Sequence, residues 1–166
     1  MLLRDATPAD LPAIVDVQEE GARVALAHIF PQDVHPFPRA AIRERWARHL
    51  ASPEVGVHVV VRDGRTIDGF AAVRGNELLH FGTAIGTWGT GLAVAVHEEL
   101  LECLRRAGEP VAWLRVFDEN HRARRFYEKT GWTPTQRRSR SSFPPHPVLV
   151  DYEIALRIEL PSARSR

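Results

Sequence analysis

The stretch Asn120-His121-Arg122-Ala123-Arg124-Arg125-Phe126-Tyr127-Glu128-Lys129-Thr130-Gly131-Trp132 constrains the fold of this chain more than any other. It reads as a helix with a defined start and stop. Asn120 suits the N-cap, where its side chain accepts a bond from an unpaired backbone N–H of the first turn. Gly131 suits the left-handed conformation that ends a helix. Ala123, Phe126, Tyr127 and Thr130 recur at helical spacing on one face, and Arg122, Arg124, Arg125 and Lys129 cover the others. The run Val111-Ala112-Trp113-Leu114-Arg115-Val116 just upstream reads as a strand. Together they form a strand–turn–helix unit with small and aromatic residues on its inner face.

A second such unit precedes it. Trp88-Gly89-Thr90-Gly91-Leu92-Ala93 follows the apolar run Leu78 to Ala84 and opens a helical pattern of Leu92, Val96, Leu100 and Leu104. Glycines at a strand-to-helix turn leave backbone N–H groups bare and allow a phosphate to approach. The helix N-terminus adds partial positive charge there.

These segments resemble the GCN5-related N-acetyltransferase (GNAT) family. Its last conserved segment has the form N-x-x-A-x-x-F-Y-x-x-x-G-[FW], and Asn120, Ala123, Phe126, Tyr127, Gly131 and Trp132 fill every position. Its phosphate turn reads [QR]-x-x-G-x-[GA], which Gly91 and Ala93 match, whereas Trp88 stands where Gln or Arg is usual. The resemblance covers nearly the whole chain. It implies an α/β (α+β) GNAT fold: a mixed central sheet of about seven strands and about four helices, with the fourth and fifth strands splayed. It further implies that acetyl-CoA enters the gap as co-substrate. Its pantetheine arm would bond the backbone of Phe81, Gly82, Thr83 and Ala84 like an added strand. Trp88, Gly89, Thr90, Gly91, Leu92 and Ala93 would hold the pyrophosphate, and Asn120, Ala123, Phe126 and Tyr127 would flank the cofactor. Gly82 reads two ways, as room for a ligand lying close or as a β-bulge.

Acetyl transfer to an amine requires a proton to leave the amine and another to reach the departing thiolate. Tyr127 matches the family position of the proton donor; the competing reading is an aromatic filling the core beside Phe126. Two residues compete as base. Glu77 falls where the histone-type branch of the family places its glutamate, counted back from the phosphate turn, and His80 offers an imidazole of near-neutral pKa. Strand alternation puts them on opposite faces unless a bulge intervenes. A water chain is the third option. The resemblance places the acceptor site at Ala27 to Phe37 and roughly Arg137 to Pro147. The Arg137–Arg140 run reads as a solvated loop, or as an attractor of acidic substrates. The histidines lack paired ligand spacing, so no metal is expected.

The remaining elements follow from local signals. Leu2 to Arg4 form a first strand. Thr7 caps a helix with Pro8 at its first position, running to about Ala25. The segment Phe30 to Pro38 is broken by prolines. Arg39 to Leu50 form a second helix, and Val57 to Val61 pair with Ile67 to Val73 around an Asp63-Gly64 turn. Val148 to Ile158 close the sheet.

The 166 residues suit one domain, placed at residues 1–160 with a flexible tail over 161–166. A formal net charge of +1 gives no general attraction to nucleic acid or membrane. The single cysteine, Cys103, sits near the Leu100/Leu104 stripe and reads as a covered side chain rather than a nucleophile. With no window of transmembrane length and no signal peptide, a cytoplasmic address is the default. The expected function is N-acetyl transfer from acetyl-CoA to a primary amine, of a small molecule in the first instance. The alternatives are a protein, peptide or aminoacyl amine as acceptor, and a non-catalytic acyl-CoA-binding module. The family often forms homodimers, and the oligomeric state stays open.

Overall fold

The computed structural model describes residues 1–157. Seven strands form one mixed sheet: β1 (Leu3–Asp5), β2 (Val55–Val61), β3 (Ile67–Arg74), β4 (Glu77–Thr83), β5 (Val111–Phe117), β6 (Thr133–Arg140) and β7 (Val148–Ala155). The spatial order is β1-β2-β3-β4-β5-β7-β6, antiparallel throughout except for the parallel β4–β5 pair. Four α-helices cover it: α1 (Leu11–Ala25), α2 (Arg39–Ala51), α3 (Leu92–Arg105) and α4 (His121–Lys129). Order and splay match the expected fold.

The helices divide between the two faces by their apolar stripes. Ile14 and Val15 of α1 and Ile42 and Trp46 of α2 pack on Val57, Val59, Phe70 and Ala72. On the other face Leu92, Val96, Leu100 and Leu104 of α3 pack on Ala71, Val73, Leu78, Leu114 and Val116. The repeat of four in α3 is thus a buried stripe. Glu99 of α3 accepts the backbone N–H groups of Leu2 and Leu3 at 2.6 and 3.0 Å, which ties the start of the chain to the sheet. At the N-terminus of α1 a short 3-10 turn, Pro8–Asp10, precedes the helix proper, and the Asp10 carboxylate accepts the Thr7 N–H at 2.8 Å.

Several boundaries differ from the sequence reading. The Asp63-Gly64 turn has positive φ only at Gly64; Asp63 instead accepts the N–H groups of Arg65 and Thr66, both at 2.9 Å. Arg137, Arg138 and Arg140 lie in β6, not in a loop. Arg137 pairs with Asp151 and Glu153 of β7, so its charge is neutralised within the sheet. Strand β7 ends at Ala155. The expected continuation to Ile158 and the tail over 161–166 lie outside the described residues.

Glycines on β3 and β4 let the two strands and their side chains close up. A Cβ on Gly69 would stand 2.5 Å from the Gly82 carbonyl oxygen, and one on Gly82 would stand 2.6 Å from Cζ of Phe70. Gly82 is therefore a notch for the Phe70 ring. The sheet's bulge lies elsewhere on β4. Because the atom facing Gly69 is backbone and cannot rotate away, Gly69→Ala is expected to destabilise the fold by about 1–3 kcal/mol, read as a lower urea midpoint with unchanged slope.

Candidate active site

Strands β4 and β5 pair at two positions only, Glu77 with Trp113 and Leu78 with Leu114. Asn76 closes the base of this V. Its carbonyl accepts the Trp113 N–H at 3.0 Å, and its side-chain amide donates to the Val111 carbonyl at 2.8 Å. Above Leu78 the strands part. β4 is held along its length by β3, and β5 by β7. A cavity of about 770 Å³ fills the gap and extends beneath the α1–α2 connection and the loop after β6.

A bulge sits at the point of divergence. Val73 stands opposite Leu78 and Ala72 opposite His80, so Leu79 faces no residue of β3, and β5 has already turned away. The extra residue resets the alternation. Leu79 and His80 both turn toward α1 and α2: Leu79 packs in that cluster, and the His80 ring lies 4.9 Å from the Trp46 ring. Glu77 and His80, expected on opposite faces without a bulge, both line the cavity. Glu77 is only 5 % exposed, and its Oε1 accepts Arg74 Nη2 at 2.8 Å. His80 Nε2 lies 3.3 Å from His49 Nε2 of α2. Burial, with the charges of Arg45 and His49 behind it, pushes His80 well below the ordinary imidazole value.

Tyr127 reaches the cavity from α4. Asn120 caps that helix, its side-chain oxygen accepting the Ala123 N–H at 3.2 Å, and Gly131 ends it at φ 104°. The Tyr127 ring is wedged between Phe126 and Trp132, at 5.4 and 5.9 Å between centroids. Its hydroxyl has no hydrogen-bond partner among the described residues, and burial raises the phenol well above its ordinary value. Beneath it the buried Trp132 donates its indole N–H to His97 Nε2 at 2.9 Å.

Of the other expected site residues, Phe81, Gly82, Thr83, Trp88, Asn120 and Ala123 line the cavity. Ala84 and the turn Gly89, Thr90, Gly91, Leu92 and Ala93 lie outside its lining, as does Phe126. The Leu92 side chain is buried in the core, and Phe126 packs against that core, because both lie on the inner faces of their helices. Leu92 thus offers the turn only its backbone. Gly89 and Gly91 take φ of 77° and 87°, with open space where a Cβ would stand. Trp88 does not aim its N–H at the turn: the indole donates to the Thr83 carbonyl at 3.0 Å. Arg122 of α4 lies over the indole, 3.6 Å from guanidinium carbon to ring centroid.

Among the cavity residues that escaped the sequence reading are Arg45, His49 and Arg122. Arg122 fills a variable position of the helix motif, and Arg45 and His49 belong to an arginine-rich amphipathic helix. No local signal separates them from solvated neighbours.

A sheet split by one bulge, with a glycine turn at the next helix and a tyrosine facing the gap, defines an acyltransferase of the splayed-strand class. The acetyltransferase (GNAT) domain family matches residues 1–133, and the chain belongs to that family; it is an acetyltransferase enzyme. It is similar to an uncharacterized N-acetyltransferase of Mycobacterium tuberculosis, 31% identical over 109 residues, which are 63% of this chain and 70% of the relative. A GCN5-related N-acetyltransferase from Rhodopseudomonas palustris superposes with a TM-score of 0.77 at 14% identity, over 93% of this chain and 94% of that one. The ribosomal-protein-S18-alanine N-acetyltransferase of Escherichia coli superposes at 0.68 with 17% identity, over 98% of both. At these identities the two structures bear on the fold alone. Members of the family use acetyl-CoA as co-substrate. Among the described residues no helix is long and apolar enough to cross a membrane.

Four histidines, His49, His58, His80 and His97, are held below the ordinary imidazole value, each with burial as the largest cause. A depressed base takes up protons more readily in the unfolded chain. Their effect on stability is therefore absent well above about pH 6.5 and destabilising as pH falls through it. Thermal midpoints at fixed ionic strength are expected to stay level from about pH 8 to 7 and to fall from about 6.5 to 5, less steeply in His80→Gln. The lowered carboxylates Asp10 and Asp63 act in a separate, more acid window, near and below about pH 4.

Proposed function

We propose that the protein transfers the acetyl group of acetyl-CoA to a primary amine of a small molecule, by direct attack of the amine within a ternary complex. The observation that carries this reading is the V opening at Leu79 with Tyr127 among the residues that line it. Acetyl-CoA supplies the acetyl group as a thioester. The backbone of Phe81 to Thr83 on the open edge of β4 pairs with the pantetheine amides as a missing strand would. The unopposed peptide groups at Leu79 polarise the thioester carbonyl.

Two proton movements complete the reaction. His80 takes the amine proton. Its Nε2 is engaged by His49, and Nδ1 has no partner among the described residues, so the tautomer that donates from Nε2 leaves Nδ1 bare toward the cavity. Glu77 is the poorer candidate because its carboxylate is already held by Arg74. That proton transfer accompanies attack: as the neutral amine nitrogen bonds to the carbonyl carbon its proton passes to His80, and the carbon–sulfur bond breaks. Tyr127 donates its proton to the leaving thiolate and regains one from solvent.

The phosphate turn fits its anion despite the tryptophan. Gly89 and Gly91 give the N–H groups an open approach at the N-terminus of α3, a helix of 14 residues. Arg122, pinned on Trp88, supplies the cation that position 88 lacks. Partial burial lowers its pKa, so an arriving phosphate replaces solvation already lost.

Tyr127→Phe is expected to lower kcat at least tenfold while acetyl-CoA affinity changes less than about threefold, a difference of about 1.4 kcal/mol confined to the transition state. Unchanged turnover removes Tyr127 from the chemistry. In calorimetric titrations of acetyl-CoA, Gly91→Glu is expected to abolish binding. Arg122→Gln is expected to raise Kd about tenfold, or about 1.4 kcal/mol, with a weaker dependence on salt than the wild type.

A further inference from the structure

The acceptor end of the cavity holds a cation with no anion. Arg45 projects from α2 into the cavity, its guanidinium carbon 5.6 Å from the Phe143 ring centroid. Its Nε is buried and has no hydrogen-bond partner, and the guanidinium forms no ion pair among the described residues. The groups around it are positive or neutral. Burial, and after it the charge of Arg48 on the same helix, lowers its pKa; burial and then Arg45 lower His49 and His80.

The same imbalance runs through the whole cavity. Among the described residues Arg45, Arg74, Arg115 and Arg122 line it, and Glu77 is the one carboxylate that does so. That carboxylate is matched to Arg74 at 2.8 Å. Arg115 lies over Trp113 at 5.1 Å, away on β5. Arg122 sits on Trp88, whose indole is bonded to the end of β4 at Thr83, where the cofactor phosphates belong. Arg45 stands beside His80, three residues earlier on β4 and on the α1/α2 face. It is thus a second anion position, separate from the first.

A half-buried arginine whose Nε is covered and unbonded costs the fold some free energy, because the hydration lost at that nitrogen is not replaced. A guanidinium fork beside an aromatic ring can hold a planar oxyanion through two parallel N–H bonds. Phe37, Phe143 and Pro144 beside it give a flat apolar wall. We propose that Arg45 binds an oxyanion on the acceptor itself, so that the substrate is a primary amine that also carries a carboxylate, an amino-acid-like molecule with an apolar side chain rather than a polyamine. This rests on the transferase reading above and narrows its substrate class.

The test compares matched acceptors at saturating acetyl-CoA: phenylalanine, phenylalanine methyl ester, phenethylamine, 1-amino-2-phenylethylphosphonate and spermidine. Phenylalanine is expected to exceed its ester and phenethylamine at least tenfold in kcat/KM. Arg45→Gln is expected to shrink that preference to within about twofold, and Arg45→Lys to restore part of it. A phosphonate preferred over the carboxylate transfers the subsite to phosphorus oxyanions and overturns the amino-acid assignment. Equal or better turnover of the ester, phenethylamine or spermidine overturns the anion subsite while leaving the transferase intact. Acetyl-CoA binding without turnover of any amine overturns both. A tenfold loss of acetyl-CoA affinity in Arg45→Gln assigns Arg45 to the cofactor and also overturns the proposal.

A second readout is independent of turnover. Without ligand, Arg45→Met is expected to melt at or above the wild-type temperature, since it removes an uncompensated buried charge. N-acetylphenylalanine is expected to raise the melting temperature of the wild-type CoA complex and not that of the variant. A lower melting temperature for the ligand-free variant marks Arg45 as structural and overturns the assignment.

Discussion

The site depends on one interruption of backbone pairing. Strands β4 and β5 share two residue pairs and then separate, while each keeps a full-length partner on its other side. In water-excluded protein, unpaired backbone groups are costly, and here they persist along the upper half of β4. A ligand with amides of its own can satisfy them. The bulge at Leu79 falls at the same point and turns both Leu79 and His80 toward α1 and α2. It thereby brings a buried imidazole, a cleft and an open strand edge together. Asn76 closes the V below, and Tyr127 enters from α4 on the opposite side.

Charge is distributed to match. Four arginines line the cavity, and its single carboxylate is spent on one of them. The histidines near the bulge are held neutral by burial and by Arg45. The chamber therefore carries an excess of positive charge, with Arg45 and Arg122 at two places in it and His80 on its wall. Trp88 fits the same scheme. Where the family has a polar side chain, this chain has an indole, and the ring serves as a seat for Arg122.

Legibility varied with how local each signal was. The helix from His121 to Lys129 could be read because its cap, its stripe and its stop lie within 13 consecutive residues, and each acts through neighbours along the chain. Strand β6 could not. Thr133–Arg140 has no apolar alternation, since it is an edge strand exposed over most of its length; charged side chains that guard an edge look like a loop in sequence. Gly82 invited two explanations, and the Phe70 ring supplied a third that depends on pairing between strands. Arg45, His49 and Arg122 were indistinguishable from other basic residues on helix surfaces, because what sets them apart is the lack of a partner in space.

By itself the sequence determined the family, the order of the elements other than β6, the two strand–helix turns and the position of Tyr127. These rest on spacing along the chain, on capping, and on glycine's access to positive φ. The tertiary structure alone decided that Glu77 and His80 line one cavity, that His80 pairs with His49, and that Arg122 lies over the Trp88 ring. It alone left Arg45 without a counter-ion. Each of these results from register, bulge and burial, which bring together residues that no local pattern connects.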